Sequence, residues 1–251
     1  MNSKPLMTRS LFGVALALSL LLQLTPASYS STPQKPDPKK FQHAIGRSTD
    51  AARILNLLAV APDNGIPKEI LDRAEAIGVF PKVEKDTVIF TQTTNGYGVI
   101  SSRTEKGWTM PAFYRFGGGG YTNPFSNGES YALILLFLTK DSLKWFEKGG
   151  VVLADQKQAI EGPVGTLSED QRQLLIDQPM LAYAYYNGKL SGKGFSSTFW
   201  KAFALNPDNN INTPVYGIKG REVLAGANVD TAKVLEGISV YQEALIKHYS
   251  R

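Results

Sequence analysis

The residue types that most often carry catalysis or bind metal ions are scarce in this chain. Its 251 residues include no cysteine and only two histidines, His43 and His248. A thiol nucleophile, a thiolate metal site and a disulfide are therefore excluded, and a multi-histidine metal centre or a Ser-His-Asp triad has almost no material. Acidic neighbours such as Glu169 and Asp170 diverge on a helix or a strand. We therefore predict a protein without enzymatic activity, metal ion or cofactor.

Two glycine-rich segments have the composition of phosphate-binding loops. In the run Gly117–Gly120, bare backbone N–H groups could approach an anion closely. A dinucleotide fingerprint, however, needs G-x-G-x-x-G between a strand and a helix, and this run leads into Tyr121 with no helix start behind it. It therefore indicates either a bulge or bend between crowded strands or a ligand contact. The segment Gly188–Gly194 lacks the P-loop spacing and predicts a hairpin turn with solvated lysines.

Basic residues share one face of the first predicted helix, Phe41–Val60. Lys40, His43 and Arg47 recur there at helical spacing, beside an apolar stripe. The stripe consists of Phe41, Ala44, Ile45, Ala52, Leu55 and Ala59. This pattern fits an interfacial helix attracted to anionic lipid. It also fits an ordinary helix whose stripe packs on the core while its charges face water, and both interpretations stay open here.

The elements that would position these residues change in type along the chain. A second short helix is predicted at Lys68–Ala76, and a last one at about Thr231–Tyr249, while Asn206–Pro214 is predicted to be a loop. Asn95-Gly96 is the strongest hairpin signal. Strands are predicted at Ile77–Val83, Thr87–Thr94, Tyr97–Arg103, Trp108–Phe116, Tyr131–Leu138, Val151–Ile160, Leu181–Tyr186 and Gly194–Ala204.

This order of elements predicts the fold class. Helices, then many short strands, then a helix favour an α+β domain, with a mainly antiparallel sheet or a partly closed barrel and helices packed on one side. No repeat of fixed period is present, so a single domain is expected.

The N-terminus predicts export. Lys4 and Arg9 precede the apolar run Leu11–Leu22, which is shorter than the roughly 20 residues of a spanning helix, so a removable signal peptide at residues 1–27 is favoured over an anchor. Residues 28–40, rich in Ser, Pro and Lys, predict a disordered linker. A periplasmic or secreted location in a bacterium follows, since a chain without cysteine is indifferent to oxidising conditions.

Several motifs occur in an order that resembles the SYLF lipid-binding domain family. In chain order, they are Ile66-Pro67, Ala74–Pro81 (AEAIGVFP), Tyr97–Ile100 with Arg103, Gly107–Ala112 (GWTMPA), Gly117–Gly120, Leu138-Thr139, Gly162–Gly165 (GPVG), Tyr183–Tyr186 with Gly188–Gly192 (GKLSG), and Tyr216-Gly217. Thr109 stands where the family commonly has Ser, and Lys85–Thr94 lacks the usual glycine-rich strand. The chain is therefore interpreted as a divergent member.

The resemblance implies a non-enzymatic lipid-binding domain at residues 41–251 that recognises anionic lipid or a membrane surface and no nucleic acid. Eukaryotic relatives bind phosphoinositides partly through a basic N-terminal helix, and Lys40 and Arg47 lie in the comparable place here. The second group of candidate lipid contacts consists of Trp108, Arg115, Gly117, Gly118, Gly119 and Gly120. The alternative function is a cell-envelope scaffold that binds a protein partner through a sheet edge or the last helix.

Overall fold

A computed structural model of the protein describes residues 37–60, 65–88, 91–121, 130–146, 151–153, 159–193, 202–230, 234 and 236–250. The predicted signal peptide and most of the predicted linker, residues 1–36, lie outside this part of the chain. Among the described residues, no helix combines the length and the apolar character needed to cross a bilayer.

The described residues contain seven α-helices and ten strands. The helices are α1 Pro38–Ala59, α2 Lys68–Arg73, α3 Lys140–Leu143, α4 Glu169–Leu175, α5 Asn209–Tyr216, α6 Gly220–Leu224 and α7 Val240–Tyr249. The strands are β1 Ala76–Val88, β2 Thr91–Thr104, β3 Gly107–Trp108, β4 Ala112–Tyr121, β5 Ser130–Phe137, β6 Val151–Leu153, β7 Ile160–Glu161, β8 Met180–Tyr186, β9 Lys189–Gly192 and β10 Ala202–Pro207. A 3-10 turn, Lys144–Phe146, follows α3.

The strands form one sheet in the order β6-β10-β4-β2-β1-β5-β8-β7, with β3 paired to β2 and β9 to β8. All described pairs are antiparallel except β7 with β8. The described end strands, β6 and β7, do not pair with each other, so the sheet is open. The predicted single α+β domain with a mainly antiparallel sheet is confirmed, and the open sheet decides against a partly closed barrel.

The longer helices share one face of the sheet, and a 3-10 turn packs on the other. Phe113 of β4 stacks on Tyr216 of α5, whereas the next residue, Tyr114, packs edge-on against Phe146 of the 3-10 turn. Neighbouring strand residues point to opposite faces. The α5 side, here called the helix face, also carries α1, with α7 packed beside it. Packing on one side therefore holds for these helices, while the 3-10 turn lies on the opposite face.

Helix α1 begins three residues before the predicted start. Asp37 caps it by accepting a hydrogen bond from the Lys39 backbone N–H (3.0 Å), and Pro38 occupies the first helical position, where its missing N–H costs nothing. Residues 38–40 are thus helical, which corrects the C-terminal boundary of the predicted linker. The buried residues of α1 are Ala44, Ser48, Ala51, Ala52, Ile54, Leu55 and Leu58.

Coverage of the helix face stops partway along β2. From Thr91 to Tyr97 exposed and buried residues alternate, whereas the residues from Gly98 to Ser102 are all buried. Alternation marks a sheet with one wet face, and continuous burial marks a sheet covered on both faces. The helix face beside Thr91–Tyr97 is therefore open to solvent, and this open half adjoins the start of α1.

The predicted hairpin at Asn95-Gly96 is wrong, because both residues lie inside β2. They pair with β1 on one side and with β4 on the other. Gly96 serves close packing, since a methyl group there would lie 2.7 Å from Val83 Cγ2. Among the described residues, an Asn-Gly pair that does turn a hairpin is Asn187-Gly188, between β8 and β9, where both residues have positive φ (48° and 77°). The predicted hairpin in that glycine-rich segment is thereby confirmed.

Two further sequence predictions are corrected near the C-terminus. The predicted loop Asn206–Pro214 contains the end of β10 and most of α5. The helix forms because Asn212 is fully buried and its amide bonds to both the N–H and the carbonyl of Phe113 (2.8 Å each). The last helix starts at Val240 rather than near Thr231, since Gly237 has a left-handed φ of 93° just before it.

Gly98→Ala should destabilise the protein, whereas Gly46→Ala should not. A methyl group at Gly98 would lie 2.7 Å from Phe80 Cα and closer still to the Val79 carbonyl oxygen, so backbone must move, at a cost of about 3 kcal/mol. At Gly46, in α1, nothing lies within 4 Å, and the change should stabilise by up to about 1 kcal/mol. Urea unfolding of both variants tests this. Equal free energies of unfolding for Gly98→Ala and Gly46→Ala would contradict the close packing at Gly98.

Buried tyrosines should make the fold sensitive to alkali. Burial raises the pKa of Tyr114, Tyr183 and Tyr241 well above its ordinary range. The unfolded chain ionises these phenols near pH 10 while the folded chain keeps their protons, so stability is unaffected below about pH 9 and falls as the pH rises further. Urea unfolding at a series of pH values measures this slope.

Tyr114→Phe and Tyr241→Phe should change stability at neutral pH in different directions. The Tyr114 hydroxyl is buried without a hydrogen-bond partner in the described structure, so its removal should be neutral or stabilising by about 1 kcal/mol. The Tyr241 hydroxyl donates to the Ile77 carbonyl (2.9 Å), and its loss should cost about 1 kcal/mol. A larger loss for Tyr114→Phe than for Tyr241→Phe would refute this assignment of buried hydrogen bonds.

Candidate functional site: a basic basin at the start of helix α1

The apolar stripe of α1 is used by the protein's own core. Ala44, Ala52 and Leu55 are buried, and Phe41 and Ile45 pack against the same core. Of the two interpretations that the sequence leaves open, core packing is therefore the correct one for the stripe. The apolar face of α1 is not available for insertion into a bilayer, and what α1 offers to a ligand is its basic face.

That basic face borders an open depression of about 780 Å³ over the uncovered half of the sheet. Its lining residues are Asp37, Lys39, Lys40, Gln42, His43, Gly46, Arg47, Tyr97, Arg115, Asp208, Asn210 and Ile211. We call this depression the basic basin. With His43 neutral, its four Lys and Arg side chains against two Asp side chains give it a net charge of +2. A smaller depression of about 190 Å³ shares Tyr97 and Arg115 with it and extends to Gly117.

Arg47 is fixed at the centre of the basic basin. Its Nη1 lies 2.8 Å from Asp208 Oδ2, and the exposed fractions of the two side chains are 17% and 8%. The guanidinium also lies over the Tyr97 ring, 4.5 Å from its centroid. Tyr97 remains 50% exposed. Arg47 therefore organises the basin, and most of its charge is already neutralised by Asp208.

The three other Lys and Arg side chains of the basin are available to attract an anion. Lys39, Lys40 and Arg115 form no ion pair within the described residues. Lys39 and Arg115 are exposed, and Lys40 is half-buried. Arg115 pairs across the strands with Tyr97, so β4 and β2 bring it to the same face as the start of α1. The predicted contacts Lys40, Arg47 and Arg115 thus come together in one place.

The glycine run does not form a cradle for an anion. Gly117, Gly118 and Gly119 lie inside β4 and pair with β2 and with β10 without a register shift. Their backbone amides therefore belong to the sheet, and the run is neither a bulge nor a bend. Successive residues alternate between the faces, so Gly118 and Gly120 point away from the helix face. Gly117 is the member that lines the smaller depression.

Trp108 belongs to the core and not to the basin. It is 4% exposed, and the Arg103 guanidinium covers its ring at 4.3 Å. Arg103 is held by the carbonyls of Ala74 and Tyr249, which locks the last helix to β2. Trp108 pairs with Arg103, six residues along β2 from Tyr97, which is about 20 Å. The prediction that Trp108 contacts lipid together with Arg115 is therefore wrong, because Trp108 is buried and remote from Arg115.

Sequence reasoning missed Tyr97 and Asp208 as members of the basin. Tyr97 has no clear signal in the sequence, because Thr91–Asn95 are all polar although exposed and buried positions alternate among them. Asp208 has none either, because its partner Arg47 lies 161 residues away. Within the described residues, no group of three or more His, Asp or Glu side chains is placed to hold a metal ion.

Comparison of the chain with models of protein families, with curated proteins and with solved structures finds no match. The resemblance to the SYLF family therefore stays a prediction.

The ion pair between Arg47 and Asp208 should contribute measurably to stability. In a double-mutant cycle with Arg47→Met and Asp208→Asn, we expect a coupling energy of about 1–3 kcal/mol, because both groups are largely shielded from water. The matched cycle on the exposed pair Lys68–Asp72 should give less than about 0.5 kcal/mol. Additive effects at Arg47 and Asp208 in urea unfolding would show that the pair does not hold α1.

Proposed function

We propose that this protein is an exported, non-enzymatic lipid-binding protein that attaches to anionic lipid or membrane surfaces through the basic basin. The observation that carries the proposal is the gathering of Lys39, Lys40 and Arg115, none of them in an ion pair within the described residues, around an open depression with an exposed aromatic ring. Phosphate-bearing headgroups have the charge and the hydrogen-bond acceptors that such cations bind.

The expected attachment is electrostatic and weak. Each basic residue close to an anionic surface contributes on the order of 1 kcal/mol, so three unpaired cations give about 3 kcal/mol. The buried apolar stripe of α1 adds nothing to this. Tyr97 can contribute, since tyrosine rings favour the headgroup level of a bilayer. Binding should therefore depend steeply on salt concentration.

Two features of the sequence support the biological setting of the proposal. The N-terminal residues have the charge, apolar run and length of a signal peptide, which would deliver the protein to the periplasm or the exterior of a bacterium. The order of motifs that resembles the SYLF family points to lipid binding as well. Non-enzymatic binding is also consistent with the scarcity of cysteine and histidine.

A cell-envelope scaffold that binds a protein partner is the second candidate function. It is favoured by Leu174 and Ile176, two apolar side chains at the end of α4 that are 69% and 55% exposed. Both lie at the end of one short helix, and exposed apolar side chains that occur close together are more typical of a contact surface than scattered single ones are. Binding of a protein partner that Leu174→Ser abolishes, in the absence of lipid binding, would establish this function instead.

Co-sedimentation with vesicles tests the principal proposal. The protein should pellet with vesicles containing phosphatidylglycerol and not with pure phosphatidylcholine vesicles. Binding should fall as salt rises from about 0.01 M to about 1 M, because the Debye length shrinks from about 30 Å to about 3 Å. The double variant Lys40→Glu, Arg115→Glu should weaken binding by at least about tenfold. Arg47 is left unchanged because a carboxylate there would face Asp208.

The control replaces a lysine that lies outside the basin. Lys189→Glu, exposed in β9, makes the same charge change as Lys40→Glu and should bind almost as the unmodified protein does. Equal weakening by Lys40→Glu and Lys189→Glu would show that net charge and not the basin drives binding. Absence of pelleting at low salt would refute the proposed function.

A further inference from the structure

A second cavity lies at the C-terminal end of β2, whereas the basic basin reaches this strand at Tyr97, near its middle. It is a cleft of about 500 Å³ between the 3-10 turn and α6, and it shares no lining residue with the basin. Its volume is in the range of sites that bind small molecules. We call it the α6 cleft.

The floor of the α6 cleft is apolar. Phe146 and Leu224 are buried almost completely, and Leu143 and Ala225 complete the surface beside them. Phe146 is fixed by edge-on contacts with the rings of Tyr114 and Phe137. The floor therefore keeps its shape without a ligand.

The polar groups next to this floor already have partners. The Ser102 hydroxyl donates a hydrogen bond to the Leu224 carbonyl, and the Thr104 hydroxyl donates to the Gly107 carbonyl (2.8 Å). Water bound on the floor would find few groups to bond to, and cavities of this kind favour an apolar occupant over water.

Cations surround the mouth of the α6 cleft. Lys140, Lys144 and Arg221 are exposed at its edge, against two carboxylates, Glu222 in the lining and Asp141 beside Lys144. Glu222 accepts a hydrogen bond from the Lys219 backbone N–H (2.8 Å), which holds it to α6. Lys144 is paired with Asp141, whereas Lys140 forms no ion pair within the described residues. An apolar floor below a positive edge is complementary to a molecule with an alkyl chain and a negative head.

We propose that the α6 cleft binds a single-chain anionic amphiphile of the long-chain fatty carboxylate class. The chain lies on Phe146 and Leu224, and the carboxylate lies at the edge beside Lys140. The proposed attachment to membranes through the basic basin is independent of this site, so either can fail without the other. A protein with both sites would bind a membrane surface at one site and a single lipid molecule at the other.

Isothermal titration calorimetry with dodecanoate below its micelle concentration tests the proposal. Saturable binding of one dodecanoate per chain is expected. Dodecanol should bind roughly tenfold more weakly because it lacks the charge, and dodecyltrimethylammonium more weakly still, because the edge repels it. Absence of saturable dodecanoate binding, or equal binding of all three compounds, would overturn the proposal.

Two variants locate the site. Ala225→Trp fills the cleft from an exposed position with an ordinary backbone conformation (φ −73°) and should abolish dodecanoate binding. Lys140→Glu changes one exposed side chain and should weaken binding by roughly tenfold, while the charge-matched Lys189→Glu should leave it unchanged. Lys140→Glu decides the question if Ala225→Trp does not fold. Unchanged binding in a folded Ala225→Trp, or equal effects of the two lysine variants, would overturn the assignment.

The double variant Lys40→Glu, Arg115→Glu separates the two proposals. It should lose binding to anionic vesicles and keep binding to dodecanoate with unchanged affinity. If it loses both, the dodecanoate site is in the basic basin and the α6 cleft is refuted.

Discussion

Helix α1 has one apolar stripe, and the protein's own core uses it. Burial of Ala44, Ala52 and Leu55 joins α1 to α7 and the sheet, and it removes from the surface the face that an interfacial helix would insert into lipid. The same packing fixes the direction of the basic face. Arg47 contacts Asp208 and Tyr97 from this face, and Lys39 and Lys40 lie nearby at the start of the helix. The position of the basin is thus a consequence of how the core is formed.

The uncovered half of the helix face gives the basin its other wall. Beyond Gly98 the helices bury the sheet, while Tyr97 and Arg115 stand at the boundary where coverage stops. An open, wet depression with unpaired cations suits headgroups, which remain hydrated. The α6 cleft differs, because its floor is apolar and the hydroxyls of Ser102 and Thr104 beside it already donate to backbone carbonyls. Under the two proposals, the surface and the single chain of a lipid would bind at separate places on one domain.

The sequence correctly predicts those elements in which the local residue pattern agrees with the packing of the folded protein. The helical spacing of the α1 stripe and the apolar run of β5 led to correct assignments, as did the α+β class. The failures are places where distant contacts override local preference. Asn95-Gly96 is held in β2 by strands on both sides, and α5 forms because Asn212 satisfies the backbone of Phe113. The pairing of Arg47 with Asp208 spans 161 residues and has no local signal.

A fluorescent label in the basic basin tests the central claim most directly. The chain has no cysteine, so Gly46→Cys would provide one labelling position, at a site where nothing lies within 4 Å of an added Cβ atom. An environment-sensitive dye there should shift to shorter wavelength when phosphatidylglycerol vesicles are added, and salt should reverse the shift. The same dye on Lys189→Cys should not respond. A response at Lys189→Cys without one at Gly46→Cys would contradict the account.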